Sequence, residues 1–258
     1  MEERILGRTG LKAGRLGMAA SYGVPTTSVE RAFERGVNYL YWGTFRRGGF
    51  GQALRNLKQH RDRMVLALQS YTRVAALAAP SVELALRKLQ FDHADVLLLG
   101  LWNHKPPRRI FDACRKLRKR GLIRHIAVST HHRPLVAELS ADPDVGIVHV
   151  RYNAVHKGAE REVFPTLEAN GNRLGVVAFT ATSWRQLMDA KRMPPGERVP
   201  TATDCYRFVL SNPSVDVCMS GPADEAQATA ALRALELGLM NEEELAWMRR
   251  VGDFIHKR

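Results

Sequence analysis

Three cysteines in 258 residues, at positions 114, 205 and 218, are too few and too scattered for a disulfide framework. No pair has the C-x-x-C spacing of a zinc or redox dithiol site, and such sparse usage fits a reducing compartment. No apolar run approaches the roughly 18–20 residues that span a bilayer. The opening Met1-Glu2-Glu3-Arg4 has none of the apolar core of a secretory signal, so a cytoplasmic location is the expectation. Repeats, low-complexity blocks and linkers are also missing; Pro194-Pro195-Gly196-Glu197 reads as a loop. Negative charge is in short supply: 26 Asp and Glu stand against 39 Lys and Arg, for a net +13. A polyanion partner or compositional drift would each produce that excess, and Arg outnumbering Lys by about three to one favours drift. A nucleic-acid surface needs aromatics among its cations. The densest run, Arg115-Lys116-Leu117-Arg118-Lys119-Arg120, has none and reads as a solvated helix face. Neither a nucleic-acid nor a membrane partner is expected, and oligomeric state is left open.

What is present is ordinary globular material, 45% hydrophobic and 25% charged, in a length that suits one large α/β domain spanning residues 1–258. Eight short apolar runs read as strands: residues 16–20, 37–42, 64–69, 96–101, 125–129, 146–150, 175–180 and 215–219. They are continuous rather than alternating in character, as strands covered on both faces are. Amphipathic stretches lie between them, at 28–35, 51–60, 80–89, 107–119, 133–139, 159–168, 202–210 and 224–235. The first reads as capped by Ser28 and stopped by Gly36, and the third as presenting Leu84, Leu86 and Leu89. A last helix, 241–256, opens on Asn241 with three glutamates at its positive end. Eight strands, each with a helix, is the arithmetic of a closed (β/α)8 TIM barrel. A doubly wound sheet is disfavoured because the first βα turn, Ala19-Ala20-Ser21-Tyr22-Gly23, carries no G-x-G-x-x-G. Ahead of the barrel, apolar pieces flanking Arg8-Thr9-Gly10 read as a hairpin.

Several segments go further. Leu6-Gly7-Arg8-Thr9-Gly10-Leu11 with Leu16-Gly17, Ala32-Phe33-Glu34-Arg35-Gly36-Val37-Asn38, Phe91-Asp92-His93-Ala94-Asp95-Val96, and Gly121-Leu122-Ile123-Arg124-His125-Ile126-Ala127-Val128-Ser129 form one set. Tyr152-Asn153 and Ser220-Gly221-Pro222 complete it. Together they resemble the aldo-keto reductase family from about residue 4 to residue 252. The resemblance implies a barrel plugged by the N-terminal hairpin, and a carbonyl reductase using NADP or NAD, with no metal.

That family works with an Asp, a Tyr proton donor, a Lys that lowers the tyrosine's pKa, and a His. The matching positions here are Tyr41, Arg46, Gln69 and Gly100, so all four are replaced. Arg46 can stabilise negative charge but is a poor proton donor. Gln69 offers only hydrogen bonds, and Gly100 leaves a space that Trp102, two residues on, is placed to fill. Tyr41 or His131 is then the candidate proton relay, giving a catalytic set of Tyr41, Arg46, Gln69 and His131. On the cofactor side the resemblance implies Ser129 and Thr130 at the carboxamide, Phe179 stacked on nicotinamide, and Thr180, Ser220, Gly221 and Gln227 around the phosphates and adenosine. Ala223 and Ala231 stand where the family has an Arg for the 2′-phosphate and an Asn for adenine, and His149 where it has a Gln.

The loops after the strands, from Phe45-Arg46-Arg47-Gly48-Gly49 to Ala181-Thr182-Ser183-Trp184-Arg185, hold many Arg and His and no carboxylate. They predict a positive mouth with aromatic walls, Trp42, Arg47, Tyr71, Trp102, His104 and Arg151 binding a small anionic molecule. Of the adjacent His131 and His132, at most one faces the pocket, the other capping the next helix. A metal would need His104 or His149 as a third ligand and is not expected. The leading function is therefore an atypical NAD(P)-dependent oxidoreductase acting on a small anionic carbonyl compound. A non-redox enzyme such as a lyase or isomerase, and a catalytically silent ligand-binding barrel, are the alternatives.

Overall fold

The computed structural model of the chain describes residues 2–43, 46–169 and 171–257. Two short strands, β1 (Arg4–Ile5) and β2 (Lys12–Ala13), pair antiparallel around a turn that closes on Gly10 with φ +72°. The body alternates β3 (Leu16–Ala19), α1 (Thr26–Glu34), β4 (Tyr39–Trp42), α2 (Phe50–Asn56), β5 (Val65–Ser70), α3 (Ala78–Leu89) and β6 (Ala94–Leu99). It continues with α4 (Arg108–Lys119), β7 (Ile123–Thr130), α5 (Leu135–Ser140), β8 (Val145–Arg151), α6 (Ala159–Glu162), α7 (Phe164–Glu168) and β9 (Gly175–Phe179). Then come α8 (Ala202–Leu210), β10 (Val217–Ser220), α9 (Glu225–Leu237) and α10 (Glu242–His256). Strands β3 to β10 pair in parallel in chain order, and β10 returns to β3 with Met219 opposite Gly17. The sheet is the closed (β/α)8 barrel that the strand spacing predicts, with all eight strands where the apolar runs lie.

Alternation sorts the side chains into two cores. Inside the barrel, Tyr39, Val65, Ala67, Val96, Leu98, Ala127, Ile147, Val177, Val217 and Met219 form one cluster. The alternate residues pack outward against the helices in a larger second cluster. The hairpin closes the lower end. Leu6 is fully buried in the inner cluster, and a Cβ on Gly175 would meet its side chain at 2.7 Å. Asn38 ties plug to barrel: its amide oxygen accepts from Gly14 N at 2.8 Å, and its nitrogen donates to the Lys12 and Arg63 carbonyls.

The helices differ from the sequence expectation in four places. Helix α1 starts two residues early, with Pro25 at its N-cap, so Ser28 lies inside the first turn and is buried rather than capping. The 51–60 stretch is α2 followed by a 3-10 segment from Lys58 to Arg63, kinked at His60. The 159–168 stretch breaks at Val163, just ahead of Pro165, whose missing N–H and ring clash cannot sit in mid-helix. In α3 the inward stripe is Ala78, Val82, Leu86 and Leu89, which leaves Leu84 half exposed. The α10 start is as expected, with Asn241 and Glu244 in a reciprocal capping box. The basic run of α4 lies on the surface, where Arg115 and Arg118 pair with Asp144, and Arg120 with Glu83. Among the described residues no helix is long and apolar enough to cross a membrane.

Candidate functional site

A cleft of about 750 Å³ opens at the C-terminal ends of the strands. Side chains at strand ends project into it because they continue the inward register of the barrel. From β4 comes Tyr41, from β5 Gln69, from β7 Ser129, from β9 Phe179 and from β10 Met219 and Ser220. The loops add Ser21, Tyr22, Tyr71, His131, Thr180, Trp184 and Arg185. Among the described residues none of those lining the cleft is a carboxylate, and Arg185 is the one Lys or Arg.

The lower part of the cleft is built from tyrosines. Tyr39 and His149 stand on β4 and β8, which are diametrically opposite in the ring of eight. The Tyr39 hydroxyl meets His149 Nε2 at 2.8 Å across the barrel, and both side chains are buried. Burial pushes His149 down to about 3, so the imidazole is neutral. One layer up, burial raises the Tyr41 phenol well above its ordinary value, and the Tyr71 hydroxyl beside it raises it further. Tyr71 lies over Gly100: a Cβ there would stand 2.5 Å from its ring and 3.0 Å from the Gln69 amide nitrogen. The half-exposed Tyr71 ring, rather than Trp102, thus fills the space that Gly100 leaves.

Trp102 lies elsewhere for a clear reason. Leu101 takes a left-handed φ of +47°, turning the chain so that the indole buries in the outer cluster beneath the Arg73 guanidinium, 3.8 Å away. His104 packs edge-on to it and is exposed. Trp42 also faces outward, as its alternation with Tyr41 dictates; it packs against α2, and Arg47 stacks over it at 4.5 Å while donating to the Gly43 carbonyl. Arg46 is exposed and does not line the cleft, and Phe45 lies outside the described residues. Of the expected catalytic set, Tyr41, Gln69 and His131 converge and Arg46 does not; of the expected substrate set, only Tyr71 lines the cleft. Arg151 stands just behind the lining, paired across the sheet with Phe179.

The expected cofactor residues fall mostly along one side of the same cleft. Ser129, Phe179, Thr180, Ser220, Gly221 and Gln227 all line it. Thr130 does not: its hydroxyl oxygen accepts from His132 N at 2.9 Å. Ser129 Oγ accepts from Leu101 N, and Ser220 Oγ donates to the Gly17 carbonyl. The Gln227 side chain bridges Ala223 N and the Asp224 carboxylate. Ala231 is fully buried within α9, out of reach of a ligand. His131 lines the cleft against Phe179, with ring centroids 5.5 Å apart, and burial followed by Arg151 lowers its pKa. His132 does not line the cleft, and it makes no side-chain cap, because Pro134 holds the N-cap of α5. The sequence reading passed over Ser21, Tyr22 and Tyr206, which complete the β10 side; Tyr22 packs on Gly221, where a Cβ would meet its ring at 2.3 Å. They sit on the first βα loop and on α8, where no local pattern marks them as cleft residues. Among the described residues no three His, Cys, Asp or Glu side chains gather as a metal site.

Solved structures share this architecture. An aldo-keto reductase from Bacillus halodurans in its holo form superposes with a TM-score of 0.79 at 22% identity, over 97% of this chain and 96% of that one. An aldo/keto reductase from Klebsiella pneumoniae in complex with NADP and acetate gives 0.81 at 20% identity, over 98% and 96%. In sequence, the model of the aldo/keto reductase family matches residues 26–197. That stretch runs from the start of α1 past β9, through the strands that carry Tyr41, Gln69 and His149, and the chain belongs to the aldo/keto reductase family.

Proposed function

We propose that the protein is an NAD(P)-dependent oxidoreductase acting on a small anionic carbonyl compound. The observation that carries the reading is the cleft at the strand ends, with Phe179, Thr180, Ser220 and Gly221 along its β9–β10 edge and the Tyr41–Tyr71 hydroxyl pair at its foot. Its volume of about 750 Å³ and its lack of any lining carboxylate suit a ligand of that size and negative charge. When bound, a nicotinamide supplies the hydride. Phe179 would offer it a flat face, and Ser129 would offer a hydroxyl to its amide. Arg185, Thr180 and the backbone at Ser220 and Gly221 stand ready for its phosphates. At the adenosine end Ala223, Asp224 and Glu225 offer no free cation, since Arg31 is paired with Glu225. A 2′-phosphate would lack a partner there, which favours NAD over NADP.

Tyr41, kept protonated by its burial, then donates a hydrogen bond to the carbonyl oxygen, with the Gln69 amide beside it. The partly exposed Tyr71 connects Tyr41 to solvent, the route by which its proton is replaced. The test is reduction of aldehyde and ketone probes with NADH and with NADPH. Tyr41→Phe is expected to lower turnover about 10²–10⁴-fold, the usual worth of a positioned proton donor. A loss below tenfold would sink its role. One observation favours a second reading, a ligand-binding barrel without turnover: Gln69 puts no cation beside Tyr41 to bring its pKa down. Binding of dinucleotide with no turnover on any probe would select that reading.

A further inference from the structure

Arg151 ends β8 on the inward side, in step with Ile147 and His149. Among the described residues it has neither a carboxylate nor a hydrogen-bond partner. Its guanidinium lies 5.9 Å from the centroid of Trp184, a lining residue that is 56% exposed. Arg133 adds positive charge beside the Arg151 guanidinium, whereas burial, with Arg151 after it, holds His156 down at about 4 and His131 below the usual imidazole value, so both rings are neutral near pH 7. Arg133 pairs with Glu162 at 2.9 Å and still depresses the Arg151 pKa, although burial is the larger cause. His156 packs edge-on to Trp184 at 6.3 Å and to His256 at 6.2 Å. His131 keeps a buried Nδ1 without a partner. A partly desolvated guanidinium with no carboxylate partner is costly until an anion reaches it.

We infer that Arg151, flanked by His131 and His156, is the subsite for an oxyanion carried by the substrate, a carboxylate or a phosphate group near the carbonyl that is reduced. This rests on the oxidoreductase reading and specifies its substrate class. The guanidinium fork matches either oxyanion in bidentate geometry, and the exposed face of Trp184 is a wall for a planar substituent. The phosphates of a dinucleotide do not need this arginine. They have Arg185 on the cleft wall, whereas Arg151 stands two strands from β10.

The test is calorimetric titration of the purified chain, without and with saturating NADH, using phenylglyoxylate, its uncharged methyl ester, and phenyl phosphate. At least one oxyanion is expected to bind about tenfold or more tightly than the ester, the order of a hydrogen bond to a charged group. The stronger of the two identifies the group. Arg151→Met is expected to bring that preference below threefold, on the order of what packing alone gives, with Arg151→Gln as a second uncharged variant should the first not fold. Wild type without preference for either oxyanion, or a folded variant that keeps it, overturns the subsite. A chain that binds oxyanion through Arg151 but binds no dinucleotide overturns the oxidoreductase reading alone, and the reverse pattern overturns the subsite alone.

Discussion

Gly100 and Tyr71 show how a position without a Cβ shapes a site. Without a Cβ at residue 100 the Tyr71 ring settles over the backbone and brings its hydroxyl to Tyr41. Gly100→Ala is expected to push that ring out into solvent. Overpacking costs about 1–3 kcal/mol, with the lower end expected because Tyr71 has room to move. Reductase turnover should fall more than the melting temperature does, and a variant with unchanged turnover would separate Tyr71 from the site. Little of this was legible in the sequence. Loops one to three residues past a strand end have no period to read, so the sequence reading assigns the space at Gly100 to Trp102 where the structure gives it to Tyr71. The same reading places Trp42 at the mouth, although the alternation that sends Tyr41 inward sends its neighbour outward into the helix layer. The buried Tyr39–His149 pair supplies a pH test. His149 titrates lower in the folded chain than unfolded, so the unfolded chain takes up its proton first and stability falls as pH drops from about 6.5 toward about 3. The slope from this one group approaches about 1.4 kcal/mol per pH unit in that window. His149→Gln is expected to flatten it in denaturant titrations at pH 7 and pH 5, and an unchanged difference would place the sensitivity elsewhere.

At the scale of elements, strands and plug were readable because burial on both faces writes a strand as an unbroken apolar run. Helix ends were less so. Ser28 looks like a cap, but Pro25 fixes the extended backbone that starts α1 earlier. Buried carboxylates that register the strands at the lower rim have no sequence signature. Asp216 is fully buried, bonds Val176 N at 2.8 Å and takes both ends of the Arg173 guanidinium. Asp95 does the same for Leu66 N, with Arg61 and Arg124 as its cations. Asp216→Ala leaves Arg173 without its partner and is expected to cost about 3–5 kcal/mol in denaturant unfolding, with ligand affinity in the folded fraction unchanged. A loss under 1 kcal/mol would mean that the pair does not hold β9 to β10. Truncating the plug, Leu6→Ala, is expected to cost about 2–5 kcal/mol at the same end of the barrel.

For the whole molecule, the division of labour is that of barrels of this kind, with stability at the lower end and chemistry at the strand ends. The family follows from strand order and sequence match together. At the foot of the cleft Tyr41 and Gln69 line the wall, and Tyr71 packs over Gly100. The positive mouth expected from the loops is not what lines the cleft, where Arg185 is the one Lys or Arg among the described residues. Arg47 and Arg73 donate to the Gly43, Gly100 and Leu101 carbonyls, whereas Arg185 lines the cleft and Arg151 stands just behind it. The central claim is that this cleft serves a nicotinamide dinucleotide. Titrating the purified chain with NADH and NADPH, read by fluorescence of the cleft residue Trp184 and by thermal shift, tests it most directly. The account predicts saturable quenching with a Kd on the order of 1 μM to 1 mM, the usual range for such ligands, and weaker binding of NADPH. Absence of binding by either dinucleotide at about 1 mM, the top of that range, would contradict it and leave the barrel without its cofactor.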